Sequence, residues 1–222
     1  MFSGGWSRRH FIAAALAGAY VLPAAAAGRT ILVLGDSLSA EYGLKRGTGW
    51  VALLEKRLAA EKIQAKVVNA SISGDTTSGG RSRLEALLGQ HKPDVVVIEL
   101  GANDALRGLP LDMTEGNLAH MTRVAQQRGA RVLLVGMQMP PNYGTDYAER
   151  FAGLYPKVAK AHKAALVAFL LRGVADGADP ARLFQADRLH PREEAQPLIL
   201  DNVWPELRKL VVANGPLRTS TP

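Results

Sequence analysis

The stretch Pro93-Asp-Val-Val-Val-Ile-Glu-Leu-Gly-Ala-Asn-Asp104 decides the fold. Its centre, Val95-Val-Val-Ile98, is four β-branched residues with no polar residue at alternate positions, so a strand built from it must be buried on both faces. Pro93 before it and Gly101 after it bound the run as a short strand rather than part of a helix. A strand that is apolar on both faces belongs in a parallel sheet covered by helices on each side.

Outward from this segment the same pattern repeats. Thr30-Ile-Leu-Val-Leu34 is a second apolar run, stopped by Gly35-Asp36, and residues 66–70, 130–135 and 165–170 complete five expected strands. Between them, residues 48–61, 75–88, 112–127, 147–162 and 192–212 carry apolar residues at helical spacing. Thr48 and Asp75 are the expected N-caps of the first two helices. This alternation predicts the α/β class, as a three-layer α/β/α sandwich around a five-stranded parallel sheet. No linker or internal repeat divides residues 28–213, so one domain is expected, with residues 214–222 as a loose tail.

The first 27 residues stand apart from that domain. Arg8 and Arg9 precede an apolar run at 11–22, followed by Pro23 and four alanines at 24–27. A charged head, a short apolar centre and a small-residue exit describe an export signal. Twelve apolar residues fall short of the roughly 20 that cross a bilayer as a helix. The Arg8-Arg9 pair resembles a twin-arginine signal, with an ordinary secretory signal as the alternative. The protein is therefore expected outside the cytoplasm, periplasmic or secreted.

The chain has 222 residues, 47% hydrophobic and 21% charged, which excludes a disordered or fibrous protein. It has no cysteine, which excludes thiolate metal sites and a cysteine nucleophile. Removing residues 1–27 takes away two arginines and no acid, lowering the net charge from +7 to +5. The remaining cations are scattered, so no nucleic-acid partner is expected, and at most weak attraction to anionic membrane surfaces. A monomer is expected. No His-Glu-x-x-His pattern or histidine–acid cluster proposes a metal. His10 falls in the export signal, and His91, His120 and His162 are expected to be solvated at helix ends or on polar faces.

In such a sheet, reactive groups collect beyond the carboxyl ends of the strands, where strand order reverses. Four segments have that placement. Gly35-Asp-Ser37 follows the first strand, and a serine there would lie near a helix mouth whose amides favour developing negative charge. Asn69-Ala-Ser-Ile-Ser-Gly74-Asp75 follows the second, with Gly74 allowing a ligand close to its N–H. Asn103-Asp104 follows the third, Asn103 offering an amide donor and Asp104 a brace that accepts backbone bonds. Asp187-Arg-Leu-His190-Pro191 precedes the last helix, at a spacing that lets a carboxylate orient an imidazole. Taken singly, each segment has an ordinary reading as a helix cap, a turn glycine, an Asx turn or an exposed histidine. Together they supply a nucleophile (Ser37), a base (His190), an orienting acid (Asp187) and three oxyanion donors (Ser37, Gly74, Asn103).

GDSLS at 35–39, NASISGD at 69–75, ELGAND at 99–104 and DRLHP at 187–191 resemble the four sequence blocks of the SGNH (GDSL) hydrolases. Further matches at 106–110, 140–144, 155–157 and 195–197 extend the resemblance over residues 30–212. It is most similar to the bacterial periplasmic thioesterase I, lysophospholipase and arylesterase group. The resemblance implies a flavodoxin-like sandwich, Ser37 as nucleophile, His190 as general base and acid with Asp187 behind it, and no metal or organic cofactor. Its implied substrate is a small-molecule acyl ester or thioester. The pattern departs from close relatives at Ala102, where a second glycine is frequent, and at Arg188, where a smaller residue is.

Leu106, Leu109 and Pro110 are expected to border an acyl groove. The expected activity is hydrolysis of carboxylic esters, acyl thioesters or lysophospholipids through an acyl-serine. Two alternatives are an O-acetyl esterase of cell-envelope carbohydrate and a non-catalytic flavodoxin-like binding module. The module lacks support, since neither phosphate-cradling motif, Gly-x-Gly-x-x-Gly nor Gly-x4-Gly-Lys-Ser/Thr, occurs. The absence of Gly-x-Ser-x-Gly around Ser37 argues against the α/β-hydrolase fold.

Overall fold

The structure is a computed structural model that describes residue 1, residues 28–139 and residues 141–213. The expected export signal and the expected tail lie outside the described residues, apart from Met1. Five strands, β1 (Arg29–Gly35), β2 (Ala65–Asn69), β3 (Val95–Glu99), β4 (Arg131–Val135) and β5 (Ala165–Val167), form one parallel sheet in the order β2-β1-β3-β4-β5. The sequence-predicted fold class is therefore the observed one. Val95 to Ile98 are wholly buried, as are Ile31 to Leu34, because helices cover both faces.

Among the described residues, seven helices surround the sheet: α1 (Trp50–Ala60), α2 (Thr77–His91), α3 (Ala102–Leu106), α4 (Leu111–Gln127), α5 (Thr145–His162), α6 (Pro180–Leu183) and α7 (Gln196–Val212). α1 packs against α7, while α2, α4 and α5 pack side by side as a separate group. The chain runs from β1 outward to β2, then returns across β1 to β3. The order thus reverses between β1 and β3, where register pairs Gly35 with Glu99. This places the loops after β1 and β3 at one crevice.

Local expectations are corrected in several places. Thr48 does not cap α1: its hydroxyl donates to Lys45 O, and the cap residue is Gly49. The opening amide of Trp50 instead donates to Oε1 of buried Gln196, at the start of α7. Thr76, not Asp75, caps α2 by accepting from Gly79 N. β5 ends at Val167 although Phe169 to Leu171 stay buried, and residues 193–195 form a 3₁₀ turn before α7. The helix expected at 192 therefore starts at Gln196. The short α3 and α6 have too few residues to show a periodicity in sequence.

Candidate active site

The four expected loop segments meet beyond the C-terminal ends of β1 and β3. At β1, Gly35 is required for space: a Cβ there would lie 2.8 Å from Glu99 Oε2 and 2.8 Å from Ser39 Oγ. The chain then makes a run of turns over residues 37–43, held by Ser39 and Ala40 amides donating to Asp36 O. No helix opens at Ser37, since α1 begins only at Trp50, so the helix-mouth expectation is not met. No acceptor for the backbone N–H of Ser37 or of Gly74 is found among the described residues.

The second loop continues alongside β1, with Ala70 N donating to Val33 O and Ile72 N to Gly35 O. Gly74 has φ +79, a conformation that glycine adopts freely and other residues do not. The third element is α3, a single helical turn that carries Asn103 and is capped at its C-terminus by Arg107, four residues on. Asn103 Nδ2 donates to Asp36 Oδ2 at 3.0 Å and to Asp75 O at 2.9 Å. Asp104, expected as a brace, accepts from the Thr77 amide at 2.9 Å and from the hydroxyls of Thr77 and Thr114. It thereby ties α3 to α2 and α4.

The fourth element is a tight turn. Asp187 Oδ1 accepts from the Leu189 and His190 amides at 2.9 and 3.0 Å, while Oδ2 meets His190 Nδ1 at 2.7 Å. Arg188 sits at φ +59, the left-handed conformation that favours a small residue at this position. His190 Nε2 then lies 2.9 Å from Ser37 Oγ, across 153 residues of chain. Partial burial pushes the Asp187 carboxyl up, but the Leu189 amide, the imidazole and the His190 amide outweigh it and hold it down to about 2. A charged Asp187 places the ring proton on Nδ1 and leaves Nε2 free to accept from the serine hydroxyl.

Beneath these groups lies a pair of buried acids that the sequence reading did not single out. Asp36, 1% exposed, is pushed up to about 6 chiefly by burial, against the Leu38 amide and the imidazole of His190. Glu99, fully buried, is pushed well above the carboxylate range by burial and then by Asp36. Its Oε2 accepts from Ser39 Oγ at 2.7 Å and from Asp36 N at 3.3 Å, while Oε1 has no partner among the described residues.

The cleft at this point holds about 270 Å³ and is lined by Ser37, Tyr42, Ser73, Gly74, Asn103 and His190. Tyr42, half exposed, packs its ring 4.4 Å from the His190 ring. Leu106, Leu109 and Pro110 are not among the lining residues, and Leu106 packs against the core. Tyr42 and Ser73 escaped sequence reasoning because neither has a motif of its own. Among the described residues, no group of three or more His, Asp or Glu is placed to hold a metal ion.

Residues 33–197 match the GDSL-like Lipase/Acylhydrolase family. The chain is 53% identical over 186 residues to the esterase TesA of Pseudomonas aeruginosa, covering 84% of this chain and 91% of that protein. It is 43% identical over 189 residues to the thioesterase 1/protease 1/lysophospholipase L1 of Escherichia coli K12, covering 84% and 87% respectively. A crystal structure of the psychrotrophic esterase EstA from Pseudoalteromonas sp., inhibited by monoethylphosphonate, matches with a TM-score of 0.77 at 41% identity, over 82% of this chain and 97% of that one.

Proposed function

The chain belongs to the GDSL-like lipase/acylhydrolase family and is a serine-type ester hydrolase, and on that premise we propose that Ser37, His190 and Asp187 form its catalytic triad. The observation that carries the assignment is the unbroken chain from Ser37 Oγ through both imidazole nitrogens to Asp187 Oδ2, at 2.9 and 2.7 Å. Ser37 Oγ attacks the acyl carbonyl carbon while His190 Nε2 takes the hydroxyl proton. The N–H groups of Ser37 and Gly74 and the side chain of Asn103 hold the resulting oxyanion. Both Asn103 amide hydrogens already have acceptors, so one of them is shared with the oxyanion when it forms. Collapse expels the alcohol or thiol, which takes the proton from His190. Water, activated by the same imidazole, then clears the acyl-serine.

The substrates we assign are carboxylic esters, acyl thioesters and lysophospholipids. The names of the esterase and thioesterase 1/lysophospholipase L1 relatives support this. A small, open cleft edged by Tyr42 fits an acyl group whose leaving portion extends into solvent. Export through residues 1–27 and a monomeric state belong to the same reading; cell fractionation and gel filtration test them.

A serine-directed fluorophosphonate tests the site itself. Wild type labels and Ser37→Ala does not; labelling that survives in Ser37→Ala overturns the assignment. Removing one oxyanion donor typically costs about 3–4 kcal/mol, so Asn103→Ala lowers turnover of p-nitrophenyl esters by ~10²–10³. Full turnover in that variant removes Asn103 from the mechanism.

A further inference from the structure

We propose that Asp36 is a positioning residue of the reaction, whose buried carboxylate aims the Asn103 amide into the cleft. This rests on the oxyanion role given to Asn103 above.

A carboxylate this deeply buried opposes folding, and the neighbouring acid Asp75 adds to the cost. Asp36 forms no ion pair among the described residues; its side-chain oxygens accept from Leu38 N at 3.0 Å and Asn103 Nδ2 at 3.0 Å, and its carboxyl also meets that of Glu99. The first bond shapes the turn that carries Ser37. The second crosses 67 residues from the end of β1 to α3.

A side-chain amide rotates freely about its last bond unless both ends are held. Asn103 is held by Asp75 O on one side and Asp36 Oδ2 on the other, and the plane of its NH₂ group follows from those two acceptors. A neutral acceptor would do the same less firmly, since hydrogen bonds to a charged partner are roughly twice as strong. The groups facing Asp36 are the imidazole of His190, the carboxyls of Asp75 and Glu99, the amide of Asn103 and, from α5, the hydroxyl of buried Tyr155. Glu99, whose burial disfavours its charged form, supports the Asp36 backbone through Oε2.

The test is a double-mutant cycle on p-nitrophenyl ester hydrolysis, using Asp36→Asn, Asn103→Ala and the pair. Circular dichroism and thermal melting first establish that each variant is folded. Asp36→Asn keeps the volume and is expected to lower kcat at least tenfold with KM within about twofold. In the Asn103→Ala background the same substitution is expected to change kcat less than twofold, because the group it positions is gone. Asp36→Ala serves as the second variant and should follow the same pattern. A tenfold loss that persists in the Asn103→Ala background overturns the proposal, as does Asp36→Asn with kcat within twofold of wild type. If Asn103→Ala alone keeps full turnover, the oxyanion reading fails first and this proposal with it.

Discussion

The guanidinium of Arg107 donates to the carbonyl of Gly74 at 2.7 Å, one residue from the carbonyl of Asp75 that Asn103 holds. Two side chains four residues apart, one on α3 and one at its C-cap, thus grip consecutive peptide groups of the loop after β2. An exposed hydrogen bond of this kind is worth about 1 kcal/mol. Arg107→Ala is therefore expected to lower turnover of a short neutral ester only about two- to tenfold, with little change in melting temperature. A loss as large as that of Asn103→Ala would show that Arg107 does more than hold the loop.

Asp187 is held down to about 2 and stays charged throughout the range in which the protein is assayed. Replacing it by a neutral isostere removes the group that fixes the imidazole tautomer. Asp187→Asn should reduce kcat by ~10²–10⁴ without loss of fold, since the residue is at the surface. Steady-state kinetics checks this; a variant within threefold of wild type would show that the imidazole is oriented by other contacts.

Asp36 titrates upward on folding, from 3.8 to about 6. The folded chain then binds more protons than the unfolded one between those values, so stability falls as pH rises through that window, and the full penalty stands above pH 6. Two units correspond to about 3 kcal/mol. Asp36→Asn has no charge to bury there. Its melting temperature relative to wild type should be higher at pH 8 than at pH 4, measured by calorimetry at both. The opposite order would mean that the carboxylate stabilises the fold.

Gly101 has φ +121, and a Cβ on it would lie 2.6 Å from the hydroxyl of Tyr155, which itself donates to Leu100 O. Gly101→Ala should cost about 1–3 kcal/mol in stability through backbone strain and displacement of Tyr155. Because Asn103 follows two residues later, turnover should fall as well. A melting temperature equal to that of wild type would refute this.

Much of this was legible along the chain. The runs Ile31 to Leu34 and Val95 to Ile98 announced buried parallel strands because a strand covered on both faces tolerates no polar residue. Ser37, Gly74, Asn103, Asp187 and His190 could be singled out because each sits in a loop just after a strand or just before the last helix, and the fold brings Ser37, Gly74, Asn103 and His190 to one cleft with Asp187 behind the imidazole. The caps were misread at Thr48 and Asp75 because the partners that satisfy the helix ends depend on loop geometry. For Trp50 N, the acceptor is Gln196, 146 residues away.

By itself, the order of apolar runs and turn residues determined that this is a doubly covered parallel sheet with its reactive loops at one edge, because hydrophobic periodicity is a local consequence of burial. Only the tertiary structure decided how the charges behave. Asp36 and Glu99 look like ordinary acids in the chain; burial against each other and beside His190 sets their ionisation, and desolvation is a property of everything packed around a group rather than of its neighbours in sequence.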